Sequence, residues 1–261
     1  MHQTVECLGG TVSGDGTDIG GTIAKSSAFL RRGCEHLGVS ETSASNTGMR
    51  LGSATVLGRL AVGLLAASGL IAVYLTVALA PVVDPVTTVV SDYAFYQPGP
   101  VLLVLGGALL VAGGMAVLGG MLSLHLTKRP ALLALFALWA LSLLLCIAFK
   151  PDPEWGASSL SGDVHSVAAA CVLTSFPLAA WSASAVVAEH RAWPGAAIRV
   201  RRLLGVGALA AVVFALCQFP TSALTLWVPV GDVEGLVERI ALGTELAVLM
   251  TIARSIARST E

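Results

Sequence analysis

The sequence predicts an all-α integral membrane protein, a bundle of six transmembrane helices with the N-terminus and the C-terminus both cytoplasmic. Of the 261 residues, 55% are hydrophobic and only 12% are charged, against about 25% charged in an average soluble domain. Uncharged runs of the length needed to cross a bilayer, about 20 residues, recur along the chain. The segments between these runs alternate between basic and acidic, as expected when successive segments lie on opposite sides of a membrane.

The six predicted spans follow the uncharged runs. Each run is expected to be a helix, because backbone polar groups in lipid must be hydrogen-bonded within the segment. The sixth run is the least apolar, since Glu234, Glu238, Arg239 and Glu245 fall within it. The predicted spans, which lie within a transmembrane domain of residues 51–258, are 60–82, 101–126, 131–149, 164–187, 203–227 and 233–256.

Residues 1–50 differ in composition from the rest of the chain. They are rich in Gly, Ser and Thr, with scattered charges and little periodicity. This composition predicts a disordered cytoplasmic N-terminal tail. An alternative is that the protein starts at Met49, because Met49 and Arg50 stand directly before the first span.

The charges between the spans predict the orientation. The basic segments contain Lys128 and Arg129 between spans two and three, and a cluster of arginines between spans four and five. From Met49 onward, ten of the twelve Lys and Arg residues fall on this side. By the positive-inside rule the basic side is cytoplasmic, which predicts a multi-pass protein of the plasma (inner) membrane.

A topology reporter checks this orientation. A reporter enzyme that is active only outside the cytoplasm should be active when fused after Asp92, Glu154 or Asp232, because these residues lie in acidic segments. The same reporter should be inactive after Arg129 or Arg199. Activity of the fusion at Arg199 would overturn the predicted orientation.

Composition also excludes several functions. The net charge of -1 provides no basic field to neutralise phosphates, so nucleic acid is not an expected partner. The cysteines do not have the spacing of zinc ligands, and no metal or other cofactor is predicted; they are Cys7, Cys34, Cys146, Cys171 and Cys217. No P-loop or dinucleotide fingerprint follows a predicted strand.

Glycines recur every seven residues in the second span, at positions 99, 106, 113 and 120. A step of seven residues returns to nearly the same face of a helix, so this row forms one groove. Small residues let a neighbouring helix approach closely in a membrane. Tight helix packing is the favoured interpretation, and a substrate groove is the alternative.

Polar residues gather at the predicted extracytoplasmic ends of the spans. Ser91 precedes span two, Asp152 follows span three, His165 opens span four, and Arg239 lies in the outer turns of span six. Histidine titrates near neutrality and beside a carboxylate can act as a general base. These four residues are the catalytic candidates. The alternative is that such residues cap helices or are solvated, and Asp163 is the predicted N-cap of span four.

Glu234, Glu238 and Glu245 fall within about 40° of one another around the sixth helix. Glu245 lies roughly 16 Å deeper than Glu234 at 1.5 Å per residue, near the middle of the bilayer. A charge there costs at least about 2.5–3.5 kcal/mol, so Glu245 should face the bundle interior. We interpret the three as a polar path from the outer surface. The alternative for Glu245 is a protonated carboxyl bonded to a Ser, a Thr or a backbone carbonyl of a neighbouring helix.

Four short motifs occur in a fixed order. They are Ser91-Asp92 after span one, FKPDP at 149–153, DVHSVAA at 163–169, and GLVER at 235–239. In this order the chain, over about residues 55–257, resembles the bacterial membrane family known as domain of unknown function 998. The resemblance implies a six-helix bundle and no established activity. Where the family typically has a Ser-Glu pair, this chain has Ser91-Asp92.

Three hypotheses about function follow. The favoured one is an extracytoplasmic-face protein that handles membrane lipids or acts as a membrane enzyme. The second is a small proton-coupled transporter that uses Glu245, although the inverted repeat common among transporters is not evident between the two halves. The third is a non-catalytic partner or assembly factor of another membrane protein.

Overall fold

The structure, a computed structural model, describes residues 41–126, 129–153, 156–189, 193–217 and 233–259. The chain divides into two compact units, Met1–Thr47 and Gly48–Glu261. Within the first unit only residues 41–47 are described, and they are helical. The rest of the predicted tail lies outside the described residues, so disorder there stays a prediction.

Six long α-helices and one short 3₁₀ helix make up the described part of the chain. All six long helices contain a stretch that is long and apolar enough to cross a membrane, and no strand occurs among the described residues. The prediction of an all-α, six-span membrane protein is confirmed. The helices are α1 (Glu41–Leu79), α2 (Gly99–Ser123), α3 (Pro130–Ala148), α4 (Leu160–Glu189), α5 (Pro194–Cys217) and α6 (Glu234–Ala257), with the 3₁₀ helix at Val90–Phe95.

Two spans begin eight residues earlier than the sequence predicted, the largest differences among the six starts. The apolar stretch of α1 starts at Gly52 rather than at residue 60, and that of α5 starts at Gly195 rather than at residue 203. The predicted limits were set at arginines such as Arg59 and Arg202. These arginines are exposed on the helix surface, and a long arginine side chain can keep its charge in the interface while its helix continues. The predicted end of the fifth span, at 227, lies outside the described residues.

Helix α6 lies at the centre of the bundle. It packs against α2, α4 and α5, and its residues Leu246 and Ala257 lie against Gly69 and Gly58 of α1. The indole of Trp139 reaches it from α3. The helix that carries the most carboxyl groups is therefore the one with the most helix neighbours.

The glycine row of α2 is filled by neighbouring side chains. Ile71 and Leu65 of α1 lie against Gly106 and Gly113, and Ile256 of α6 lies against Gly120. A hydrogen bond from Ser68 Oγ to the Gly106 carbonyl oxygen, at 2.9 Å, joins the same two helices. These contacts confirm tight packing as the role of the row.

The two ends of the bundle differ in charge. We call the end where α1 and α3 finish and α2, α4 and α6 begin the acidic end, and the opposite end the basic end. At the basic end Arg129 and Glu189 form an ion pair of 2.9 Å with both side chains exposed, an arrangement that contributes little to stability. At the acidic end the described charged residues are Asp84, Asp92, Lys150, Asp152, Asp163, Glu234, Glu238 and Arg239.

Candidate functional site

The connection between α1 and α2, residues 80–98, is hydrogen-bonded to the first turns of α6. The Leu236 amide donates to the Val86 carbonyl oxygen at 2.9 Å. The Val90 amide donates to Oε2 of Glu238 at 2.5 Å. Glu238, a residue of the predicted polar path, therefore accepts a hydrogen bond from the backbone of this connection.

The guanidinium of Arg239 also bonds to this connection, at Thr88 and at Tyr93. Its Nη1 donates to the Thr88 carbonyl oxygen at 2.7 Å and to the Gly235 carbonyl oxygen at 2.8 Å. Its Nη2 donates to the hydroxyl of Tyr93 at 2.6 Å. The guanidinium also lies over the Tyr93 ring, 5.1 Å from the ring centroid, in cation–π geometry. We call Glu238, Arg239, Thr88, Val90 and Tyr93 the α6 clamp.

One hydrogen-bond donor of the α6 clamp has no acceptor among the described residues. Nε of Arg239 is buried and has no hydrogen-bond partner among the described residues. A buried polar group without a partner costs about 1–3 kcal/mol, and more when it is charged. Such groups are few in native proteins, so this donor lacks an acceptor, which the described residues do not provide.

His165 lies at the junction of α3 and α4. Its Nδ1 is 2.8 Å from the Phe149 carbonyl oxygen and 3.2 Å from the Cys146 carbonyl oxygen. Since carbonyl oxygens only accept, Nδ1 carries the hydrogen. The ring thereby satisfies carbonyls that the C-terminal turn of α3 leaves without helical partners. In return, the thiol of Cys146 donates to the His165 carbonyl oxygen at 3.8 Å.

Asp152 accepts two hydrogen bonds from Ser159, the residue before the first turn of α4. Its carboxylate accepts from the Ser159 amide at 2.7 Å and from the Ser159 hydroxyl at 2.6 Å. The Ser159 hydroxyl oxygen accepts from the Gly162 amide at 3.2 Å, which makes Ser159 the N-cap of the helix. The prediction of Asp163 as N-cap was wrong, because α4 begins one turn earlier than the apolar pattern indicated.

The Ser159 hydroxyl and amide hold the pKa of Asp152 below its ordinary value, because both bonds favour the carboxylate. The stabilisation that Asp152 gives is present above the ordinary aspartate pKa and is lost as the pH falls through the lowered value. We expect the hydrogen-exchange protection factors of the Ser159 and Gly162 amides to fall over that acidic range. In Ser159→Ala the Gly162 amide should be poorly protected at every pH. Protection of Gly162 that does not change with acid in the unmodified protein would contradict this role.

The catalytic candidates fall into two neighbouring groups. Arg239 belongs to the α6 clamp, and Ser91 lies half-buried in the same connection, with no side-chain hydrogen bond to any described residue. His165 and Asp152 belong to the junction of α3 and α4. Within the described ranges no hydrogen bond joins His165 or Asp152 to Arg239 or Ser91. Joint action of the four stays a prediction.

Glu245 lies inside the bundle, only 4% exposed, as the cost of a charge in lipid requires. Nε1 of Trp139, on α3, donates to its Oε2 at 3.2 Å. The partner is therefore an indole, where the sequence suggested a Ser, a Thr or a backbone carbonyl. Trp139 is fully buried and packs against Phe136 and Phe176. Tryptophan usually lies at membrane interfaces, so its place in the middle of a span was a signal that the sequence analysis missed.

A small cavity lies beside Glu245, between α4, α5 and α6. It has room for about one water molecule. Its lining is apolar apart from Thr244 and Glu245. We call this space the Glu245 cavity; it is lined by Leu173, Phe176, Pro177, Leu203, Leu204, Gly207, Ala208, Ala211, Ala241, Thr244, Glu245 and Val248.

Apolar side chains separate Glu238 from Glu245 along α6. Ala241 and Leu242, one turn beyond Glu238 and one turn before Glu245, pack in an apolar cluster with Leu173. Glu245 therefore has surroundings distinct from those of Glu238, and a continuous polar path along Glu234, Glu238 and Glu245 stays a prediction.

The described residues bring together no three His, Cys, Asp or Glu side chains with the geometry of a metal site. No curated protein and no solved structure matches the chain. A family described as protein of unknown function (DUF998) matches residues 60–255, a range that runs from α1 to α6 and includes the α6 clamp, the α3–α4 junction and Glu245. This match confirms the resemblance seen in the four motifs. The chain belongs to the DUF998 family.

Proposed function

We propose that this multi-pass membrane protein is a lipid-handling protein that binds a phospholipid headgroup at the acidic end of the bundle, on the extracytoplasmic face of the plasma membrane. The observation that carries the proposal is Nε of Arg239, a buried donor with no partner among the described residues. A lipid phosphate oxygen is the acceptor that a membrane offers to it.

The α6 clamp fixes the direction of this donor. Bonds from Nη1 to Thr88 and Gly235 and from Nη2 to Tyr93 hold the planar guanidinium in one orientation. Little conformational entropy is then lost when an acceptor binds to Nε, which favours binding. Arginine is also the side chain whose planar donors best match phosphate oxygens.

The depth of Arg239 suits a headgroup. It lies in the second turn of α6, about 7.5 Å along the helix axis from Glu234 at 1.5 Å per residue. The headgroup and interfacial region of a bilayer has a similar thickness, since it separates a core of about 30 Å from a total of about 40–45 Å. A phosphate in this layer is therefore within reach of the second turn of the helix.

The charge around Arg239 favours a zwitterionic phospholipid over an anionic one. Glu238 is the neighbour of Arg239 on α6, and both Asp92 and Glu234 lie within electrostatic range of Glu238. The acidic residues around Arg239 outnumber this one cation, so they favour an ammonium group over a second negative charge. Phosphatidylethanolamine has both a phosphate for Nε and an ammonium for the carboxylates.

The geometry supports lipid binding better than catalysis. A nucleophile is normally activated by a base within hydrogen-bond reach. His165 directs Nδ1 to the end of α3, and Asp152 directs both oxygens to Ser159. Ser91 is bonded to neither among the described residues, so the contacts seen are those of helix capping.

Lipid retention tests the proposal. The full chain is purified in detergent with phosphatidylethanolamine, phosphatidylglycerol and diacylglycerol of matched acyl chains, and bound lipids are counted by native mass spectrometry. We expect one phosphatidylethanolamine to be retained at activation energies that remove the other two lipids. Arg239→Lys, which keeps the charge but has no Nε donor, should retain it at least about tenfold less well.

The matched control is Arg254→Lys, an exposed position on α6 at the basic end. This variant should retain phosphatidylethanolamine as the unmodified protein does. Equal retention by the Arg239→Lys variant and the unmodified protein would overturn the proposal, as would retention of diacylglycerol as strong as that of the phospholipid.

A further inference from the structure

Glu245 has surroundings that differ from those of every other described acidic residue. Trp139 of α3, Phe176 of α4 and Gly207 of α5 face it or line the cavity beside it. None of these residues can ionise, and no described residue that lines the cavity is charged apart from Glu245. On the far side of Trp139, α2 contributes Gly114 and α6 contributes Leu249, which are also uncharged.

The nearest acidic group on the same helix is Glu238, seven residues away. Seven residues correspond to about 10.5 Å along the axis, and apolar side chains fill the turn between the two groups. No described cation balances a charge on Glu245. A carboxylate without a counter-charge is costly in the middle of a membrane, whereas the neutral acid is tolerated.

Residues that line the Glu245 cavity carry polar atoms of the kind that bind a water molecule. Oε2 of Glu245 accepts from Trp139, and the second carboxyl oxygen has no hydrogen bond to a described residue. The Thr244 hydroxyl donates to the Ala241 carbonyl oxygen at 2.7 Å and keeps its lone pairs. Pro177 has no N–H, so the Leu173 carbonyl, one turn earlier in α4, lacks its helical donor. A buried water typically makes two to four hydrogen bonds, and these groups are its partners in the proposal.

We propose that Glu245 and the Glu245 cavity form a proton-binding site in the middle of the membrane. The O–H bond of the neutral carboxyl breaks, its electron pair stays on the carboxylate, and the proton passes by way of the cavity water to bulk water; the reverse step restores the neutral acid. The Trp139 N–H donates to Oε2 in both states. The site uses no atom of the α6 clamp and is independent of headgroup binding.

A carbodiimide tests the site in the unmodified protein. Dicyclohexylcarbodiimide reacts with protonated carboxyl groups in apolar surroundings, and peptide mass spectrometry locates the adduct. We expect Glu245 to be labelled at mildly acidic pH. Labelling should then decrease by about tenfold for each pH unit once the carboxyl ionises. Exposed carboxyls such as Asp163 should stay unlabelled throughout.

Trp139 gives a second measurement that does not depend on chemical labelling. The protein has five tryptophans, so the signal of Trp139 is taken as the difference between the unmodified protein and Trp139→Phe. Ionisation of a carboxyl bonded to its indole N–H should change this fluorescence with the same pH midpoint as the labelling. In Glu245→Gln the difference signal should no longer change with pH.

Two results would overturn the proposal. One is the absence of Glu245 labelling at every pH together with a Trp139 signal that does not titrate. The other is suppression of the labelling by sodium chloride at constant pH, with no effect of choline chloride at the same ionic strength. The second result would make the site one for a small cation, since carboxyl, carbonyl and hydroxyl oxygens also suit such an ion.

Discussion

Replacing Trp139 with alanine should lower the free energy of unfolding by about 3–5 kcal/mol, the range found for removal of a large aromatic side chain from a core. Trp139 is fully buried. Its ring has an edge contact with Phe136, at 5.9 Å between centroids, and a tilted contact with Phe176, at 5.5 Å. It also fills the space left by the missing side chain of Gly114.

The loss should exceed that of an apolar side chain alone, because Trp139 is the hydrogen-bond donor to Glu245. Removing one partner leaves the other buried and unsatisfied, at a cost of about 1–3 kcal/mol. Trp139→Phe keeps a six-membered aromatic ring and removes the N–H together with the rest of the five-membered ring, so it retains part of the packing while the hydrogen bond is lost.

Thermal unfolding in detergent, followed by circular dichroism, measures this effect. The matched control is Trp181→Ala in α4, because Trp181 is 67% exposed on the outside of the bundle. We expect a large decrease in melting temperature for Trp139→Ala and little change for Trp181→Ala. Equal decreases would contradict the assignment of Trp139 as the central packing residue.

Replacing Arg239 with alanine should release the connection between α1 and α2 from α6. The guanidinium holds Thr88 and Tyr93 through charge-assisted hydrogen bonds, and bonds to charged groups contribute about 1.5–3 kcal/mol each. If local opening of the connection becomes easier by one such contribution, its amide hydrogens should exchange about 10- to 100-fold faster. This follows from a factor of ten for each 1.4 kcal/mol.

Hydrogen exchange followed by mass spectrometry checks this expectation on peptides that cover residues 86–96. Exchange should accelerate in these peptides and stay unchanged in peptides from the basic end of the bundle. Arg254→Ala, the control on the same helix, should leave residues 86–96 as they are. Unchanged exchange at Val90 in Arg239→Ala would show that the α6 clamp does not hold the connection.

Features that depend on composition were predictable from the sequence. The six spans follow from apolar length, and the interior position of Glu245 follows from the cost of a charge in lipid. The starts of α1 and α5 were misplaced because an arginine was treated as a boundary, although Arg59 lies exposed within a continuing helix. A charge therefore marks where the lipid core ends better than it marks where a helix begins or ends.

The partners within the acidic end were not predictable in the same way. The sequence indicated that Glu238 and Arg239 belong to a polar group, but their partners are the Val90 amide, the Thr88 carbonyl and the Tyr93 hydroxyl. Backbone groups of an irregular connection have no signature in the sequence, because every residue carries them. Tyr93 and Trp139 were overlooked because aromatic residues in an apolar chain are read first as packing.

The most direct test of headgroup binding is an electron cryomicroscopy map of the full chain in nanodiscs that contain phosphatidylethanolamine. The proposal predicts a lipid phosphate at the acidic end, with an oxygen about 2.7–3.2 Å from Nε of Arg239 and its ammonium on the side of Glu238. A map in which Nε donates to a protein atom, or in which only acyl chains lie against the α6 clamp, would contradict the proposal.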